Sequence, residues 1–226
     1  MSTDHPLESI AITFPEGVYA DVRLEQNVEH RILLRDGVLE DVQARTETGA
    51  LIRVLKNGSW LVASTTDLDG LDACIADLAR SDALAPVDTD AGIDGLQIHQ
   101  ETAHVFDDER VDRIPVQSKL ALLDRFTAKL GRPSVRTWSA RWLDVHRDRR
   151  FVSSLGADVR HDYQECGITL LFTVGEGSAA VSERVIGADH RFSGLVAAES
   201  EVMAALEETL DKCERFAADA VPVEAG

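Results

Sequence analysis

A chain of 226 residues with 44% hydrophobic content carries enough apolar side chain for one large core or two small ones, which argues against disorder. Asp and Glu outnumber Lys and Arg by 40 to 23, a net charge of -17, so phosphate backbones and anionic lipid surfaces are repelled and nucleic-acid or membrane partners are not expected. No run approaches the roughly 18 consecutive apolar residues of a membrane span, and the N-terminal MSTDHPLESI has no basic or apolar leader, so the expected compartment is the cytoplasm.

From Val18 the chain reads VYADVRLE, VEHRILLRDG, VLEDVQAR, ALIRVLKNG and SWLVAST, short branched and apolar runs separated by turn residues. This predicts an antiparallel meander. Asp36-Gly37 and Asn57-Gly58 supply residues that tolerate positive φ, as a two-residue hairpin turn requires. Between Ala50 and Lys56, Ile52 and Val54 alternate with Leu51, Arg53 and Leu55, which predicts one buried face, and Trp60 and Val62 follow across the turn. Thr65 or Thr66 then caps a helix in DLDGLDACIADLAR, with Leu68, Leu71, Ile75 and Leu78 at helical spacing. The small, acidic stretch SDALAPVDTDAGIDG reads as a linker, which places a domain boundary near residue 88.

The second part opens with a strand-like LQIHQETAHVF and a helix from Pro115 to Gly131, striped by Leu120, Leu123, Phe126 and Leu130. Strand-like runs follow in VRTWSARWLDVHRD, RRFVSSLG, ADVRHDYQECGITLLFTVG and SAAVSERVIGA, predicting a second antiparallel sheet. The last helix presents Val202, Leu206, Leu210, Cys213 and Phe216 on one face. The predicted class is α+β: two antiparallel sheet-plus-helix modules, residues 1–88 and 89–226.

Lysine is scarce, only Lys56, Lys119, Lys129 and Lys212, and an acidic, lysine-poor surface suits high salt, where screening to about 3 Å at 1 M removes the mutual repulsion of carboxylates. Cys74, Cys166 and Cys213 are odd in number and sit in apolar patterns, as reduced core thiols do.

No local pattern supplies catalytic chemistry. The seven histidines are scattered; His99 and His104, five positions apart in a strand-like run, point to opposite faces, so no metal site is expected. His161-Asp162 is split by strand alternation, and Asp144-x-His146 reads as well as a surface ion pair with Arg147. A stand-alone enzyme built on His161 and Asp162 is the weakest reading these residues allow. Ser153-Ser154-Leu155-Gly156 lacks the glycine of a nucleophile elbow, and Gly175-x-Gly177 lacks the helix and third glycine of a dinucleotide loop. Trp138 and Trp142 share a strand face and read as core or interface.

Taken in order, YADVRLE, ILLRDGVLEDV, IRVLKNGSWLVAST and DLDGLDACIADLAR resemble the N-terminal domain of the TldD/PmbA family, the "modulator of DNA gyrase" type of metallopeptidase. PVQSKLALLDRF and RRFVSSLGADVRHDYQECGITLLFTV resemble its middle region, and the terminal VPVEAG resembles the lead-in to a His-Glu-x-x-x-His zinc helix. The resemblance implies the front part of a longer zinc-dependent peptidase, with the zinc motif expected after Gly226, no catalytic residue and no zinc within this chain, and no activity of the chain by itself. It further implies a peptide or unfolded polypeptide as substrate, and a homodimer or a heterodimer with a TldD/PmbA relative. Arg53 and Trp60 are the expected substrate-binding residues, on one wall of the cavity. Leu61, where the family commonly has glycine, and Ala50-Leu51, where a Gly-x-Gly-like run is common, would fill space that a substrate backbone approaches. The alternative is a non-catalytic binding or scaffold subunit of PmbA type, paired with an active TldD-type partner.

Overall fold

The computed structural model describes residues 5–81, 93 and 95–219. The expected linker and the boundary near residue 88 fall almost wholly outside them, as does the terminal VPVEAG. The described residues group by strand segment: one compact unit comprises those within 5–27, 46–81, 93, 95–107 and 147–163, the other those within 28–45, 108–146 and 164–219. Strands β1 (Tyr19–Arg35), β2 (Val38–Lys56), β5 (Val135–Ser153) and β6 (Asp158–Val174) each supply a segment to both.

In the first unit the strand order is β3-β2-β1-β5-β6-β4, with β3 spanning Ser59–Thr65 and β4 Gln100–Ala103. The β2–β3 hairpin pairs Ala50 with Thr65 through to Lys56 with Ser59. Its turn takes φ 52° at Asn57 and 76° at Gly58, and Asp36 and Gly37, at 46° and 84°, do the same between β1 and β2. Both are the left-handed pairs that match the strands' twist, as the dipeptides predict. Five predicted strands nevertheless merge into three. Gln26 and Asn27 read as a break, yet β1 runs through them, because strand backbone tolerates polar side chains wherever they keep contact with water. Val22, Leu24, Ala50 and Ile52 bury against Leu71 and Ile75 of α1 (Leu71–Arg80). Each of these valine, leucine and isoleucine side chains contributes about 1.5–3 kcal/mol.

The expected threonine cap of α1 is not formed. Gly70 is the N-cap, and Thr65 Oγ1 accepts from the amide of Asp67, whose carboxylate in turn accepts from the amide of Gly70. At the other end Lys56 Nζ donates to the carbonyls of Ala79 and Ser81, a cation where the helix dipole is negative. The strand expected over residues 96–106 shortens to β4, which pairs with β6 in parallel, a departure from the antiparallel expectation.

In the second unit β2, β1, β5 and β6 continue in that order and β7 (Val181–Asp189) pairs antiparallel with β6. Helix α2 (Val116–Thr127), with Pro115 as its N-cap, buries Lys119, Leu122, Leu123 and Phe126. Leu120, expected in the stripe, is only partly buried. α3 (Phe192–Ala197) and α4 (Glu199–Asp219) complete the unit. Gly187 lets α4 lie close on β7: a Cβ there would stand 2.8 Å from Val202 Cγ2. Val202, Leu206, Leu210 and Cys213 are buried as expected, but Phe216 is exposed and Ala217 packs inward. One helical position is about 100° of rotation, enough to turn the ring out. Among the described residues no helix is long and apolar enough to cross a membrane.

Candidate functional site

Arg53 and Trp60 come together in the first unit. β2 and β3 place Leu55 opposite Trp60 and Arg53 opposite Val62, so Arg53 and Trp60 are diagonal neighbours on one face. The guanidinium lies 4.8 Å from the indole ring, within cation–π range. Arg53 also donates twice to Asp21 of β1, Nε to Oδ1 at 2.9 Å and Nη2 to Oδ2 at 2.7 Å. The Asp21 side chain is fully buried while Arg53 keeps 31% exposure. Tyr19 completes the group, its ring edge-on to Trp60 with centroids 5.7 Å apart.

The electrostatics follow from that packing. The hydrogen bond that Arg53 donates to Asp21 raises the Arg53 pKa further. Burial first, then the charge and hydrogen bond of Asp21, push the Tyr19 phenol up to about 12, so it stays protonated at neutral pH and cannot serve as a base. The bidentate grip uses two of the five guanidinium N–H groups. Arg53 is therefore a brace, and Trp60, 40% exposed, presents an open aromatic face.

An open groove of about 840 Å³ runs over β1, β2 and β3 in the same unit, lined among others by Arg23, Glu47, Thr48, Gly49, Leu51 and Thr65. Of the side chains expected to fill the approach, Ala50 and Leu51 both stand in this lining, Ala50 almost wholly buried. β3 ends the strand order, so its outer backbone groups have no neighbouring strand among the described residues.

The other expected residues serve the fold. Asp144 is not a surface partner of Arg147. It is fully buried in the second unit and accepts from Lys119 Nζ and Trp142 Nε1, both at 2.5 Å, with His30 Nδ1 3.0 Å away. Lys119, on α2, is fully buried too. The signal was present in the sequence: Lys119 precedes Leu123 and Phe126 at helical spacing, and a cation on an apolar stripe calls for a buried carboxylate. Burial first, and the charge of Asp144 next, push the Cys166 thiol up to about 12, which leaves no reactive thiolate. Asp162 accepts from the amides of Val105 and Phe106, and Ser154 Oγ accepts from the amide of Ala20. Asp158 is gripped by Arg150 and Arg160, and the Arg150 hydrogen bond holds its carboxyl down at about 2.

One group could hold a metal ion. His5, His104 and Asp107, all in the first unit, bring one ligand atom each within 4.8 Å of one another. Two imidazoles and a carboxylate are a zinc-type donor set. The residues lie 99 and 3 positions apart along the chain, so spacing within a strand or helix gives no sign of them.

Residues 20–81, which take in β1, β2, β3 and α1, match the PmbA/TldA metallopeptidase domain 1. Over those residues the chain is similar to the first domain of PmbA/TldD proteins. A metalloprotease of Methanothermobacter thermautotrophicus is 40% identical over 68 residues, 30% of this chain and 15% of that protein. Similar folds extend further than sequence. A candidate modulator of DNA gyrase from Thermotoga maritima superposes with a TM-score of 0.66 at 16% identity, covering 86% of this chain and 44% of that one. TldE from Thermococcus kodakarensis gives 0.62 at 11%, covering 85% and 44%. The chain thus spans less than half the length of these TldD/PmbA-like structures, and at such identity the likeness is one of fold.

Proposed function

We propose that this chain is the front part of a TldD/PmbA-type zinc peptidase, forming a wall of the substrate cavity and a dimer surface while the zinc helix lies beyond Gly226. The observation that carries the reading is the family match over residues 20–81 together with the open edge of β3 beside Trp60 and the groove. An extended peptide would pair its backbone with β3, and Trp60 would cover a side chain on the face that Arg53 braces. Backbone pairing recognises strand rather than sequence, which suits an enzyme acting on unfolded chains. None of the seven histidines lies on an α-helix, so the one-turn pair of a helical zinc site has to come from elsewhere.

Two measurements test this. The coding sequence past Gly226 should contain His-Glu-x-x-x-His within a few tens of codons, and a stop codon directly after Gly226 would sink the peptidase reading. In the full-length enzyme, Trp60→Ala should raise KM for an unstructured peptide about three- to tenfold with little change in kcat, which corresponds to losing a ring contact of roughly 1 kcal/mol. An unchanged KM would remove Trp60 from the cavity wall.

A further inference from the structure

In the first unit the N-terminal segment meets the segment after β4 through side chains that the peptidase reading does not use. His5 stands just before the single 3-10 turn Pro6–Ser9. Its Nε2 lies 3.0 Å from Asp107 Oδ1, and its Nδ1 lies 3.0 Å from Asp148 Oδ1. The His104 ring is stacked on the His5 ring, with centroids 3.6 Å apart and planes 8° from parallel. The His5 and Asp148 side chains are 14% and 4% exposed, while Asp107 is 53% exposed.

This arrangement poses a proton-counting problem. A neutral imidazole has one N–H, yet both nitrogens of His5 face a carboxylate oxygen at hydrogen-bond distance. If Nδ1–H donates to the buried Asp148, the Nε2 lone pair points at the Asp107 carboxylate, and that contact is repulsive unless a cation stands between them. A second proton on His5 would supply one. A metal ion would supply the other and would also use His104, whose nitrogen falls in the same group. Imidazole held by a carboxylate on one nitrogen and open on the other is the usual form of a metal-binding histidine. Tetrahedral zinc spaces its ligand atoms about 3.4 Å apart, and because the two rings lie nearly parallel, one imidazole has to unstack and turn about its side-chain torsions to aim its lone pair at the shared ion.

We propose that His5, His104 and Asp107 bind a divalent first-row transition cation of the zinc class, with Asp148 as the positioning residue that fixes the tautomer of His5. Two nitrogens and one oxygen leave a further position on the exposed Asp107 side for water. The ion clips the N-terminal segment to the residues after β4, reinforcing Arg150, whose guanidinium donates to the carbonyls of Leu7 and Ile10.

The test is titration of the metal-stripped 226-residue chain with Zn2+ by calorimetry and with Co2+ by visible absorption, alongside hydrogen exchange over residues 5–14. The expected result is one Zn2+ per chain, a tetrahedral Co2+ spectrum and slower exchange in that segment. His104→Ala and Asp107→Asn should each weaken binding at least about tenfold, and Asp148→Asn about ten- to a hundredfold. His99→Ala and Cys74→Ser should leave it unchanged. Circular dichroism confirms folding of each variant, and His104→Gln replaces His104→Ala if the latter does not fold. Absence of Zn2+ uptake by the folded chain, or uptake that survives both His5→Gln and the His104 variant, overturns the proposal.

Discussion

Each unit buries one aspartate completely, and the two treat its counter-ion differently. In the second unit Asp144 meets Lys119, itself without exposure, and the indole N–H of Trp142; in the first, Asp21 meets Arg53, which keeps 31% of its side chain in solvent. A pair closed on all sides can only hold its surroundings together. One with a solvent-facing cation, stacked on an exposed tryptophan, keeps an open face. The difference is the ground for proposing a site in the first unit, and it assigns the Asp144 cluster to stability.

The largest effect should come from the closed pair. Lys119→Met strands the Asp144 charge, and denaturant unfolding should register a loss of about 3–5 kcal/mol. Adding Asp144→Asn should recover part of it, since an amide keeps an acceptor for Trp142 without a charge to strand. A loss below about 1 kcal/mol for Lys119→Met would break the contrast between the units. In the open pair Asp21→Asn should cost less, roughly 1–3 kcal/mol. It should also lower the Tyr19 titration from about 12 by part of its shift, because burial raises that pKa most and Asp21 adds to it by charge and by hydrogen bond. Ultraviolet difference titration reads the shift directly.

A smaller effect is pH-dependent. Asp158 falls from 3.8 to about 2 in the folded chain, so its grip by Arg150 stabilises the fold above the ordinary carboxylate range and is lost as pH falls from about 4 to 2. With about a quarter of that side chain exposed, the contribution is on the order of 1–2 kcal/mol. Asp158→Asn should flatten the stability curve in that window and leave its slope unchanged near neutrality. Smallest of all, Trp60→Ala should alter stability by under about 1 kcal/mol, since it removes an exposed cation–π contact. A larger loss would mean that the open face is structural after all.

Local rules made much of the fold legible. Asp36-Gly37 and Asn57-Gly58 announce their turns because few other residues accept that backbone, and Ile52 and Val54 announce the buried face by alternation. The joining of strands across Gln26 and Asn27 was not legible, because polarity separates wet from dry faces and does not separate strand from break. Arg53 and Trp60 could be found across a hairpin of known register, whereas their partner Asp21, on another strand, could not. His5 and Asp148 lie 143 positions apart, and only the folded chain brings them together.

The Asn57-Gly58 turn also has a chemical lifetime. Asparagine before glycine cyclises through the glycine nitrogen most readily when the side chain is exposed, as Asn57 is, and the ring reopens to aspartate or isoaspartate. Aspartate would be harmless, since Asp36 already holds the same conformation before Gly37. Isoaspartate adds a methylene to the main chain within the turn that sets the register of β3. As the protein ages, the edge strand should therefore be the first part of this surface to lose its pairing.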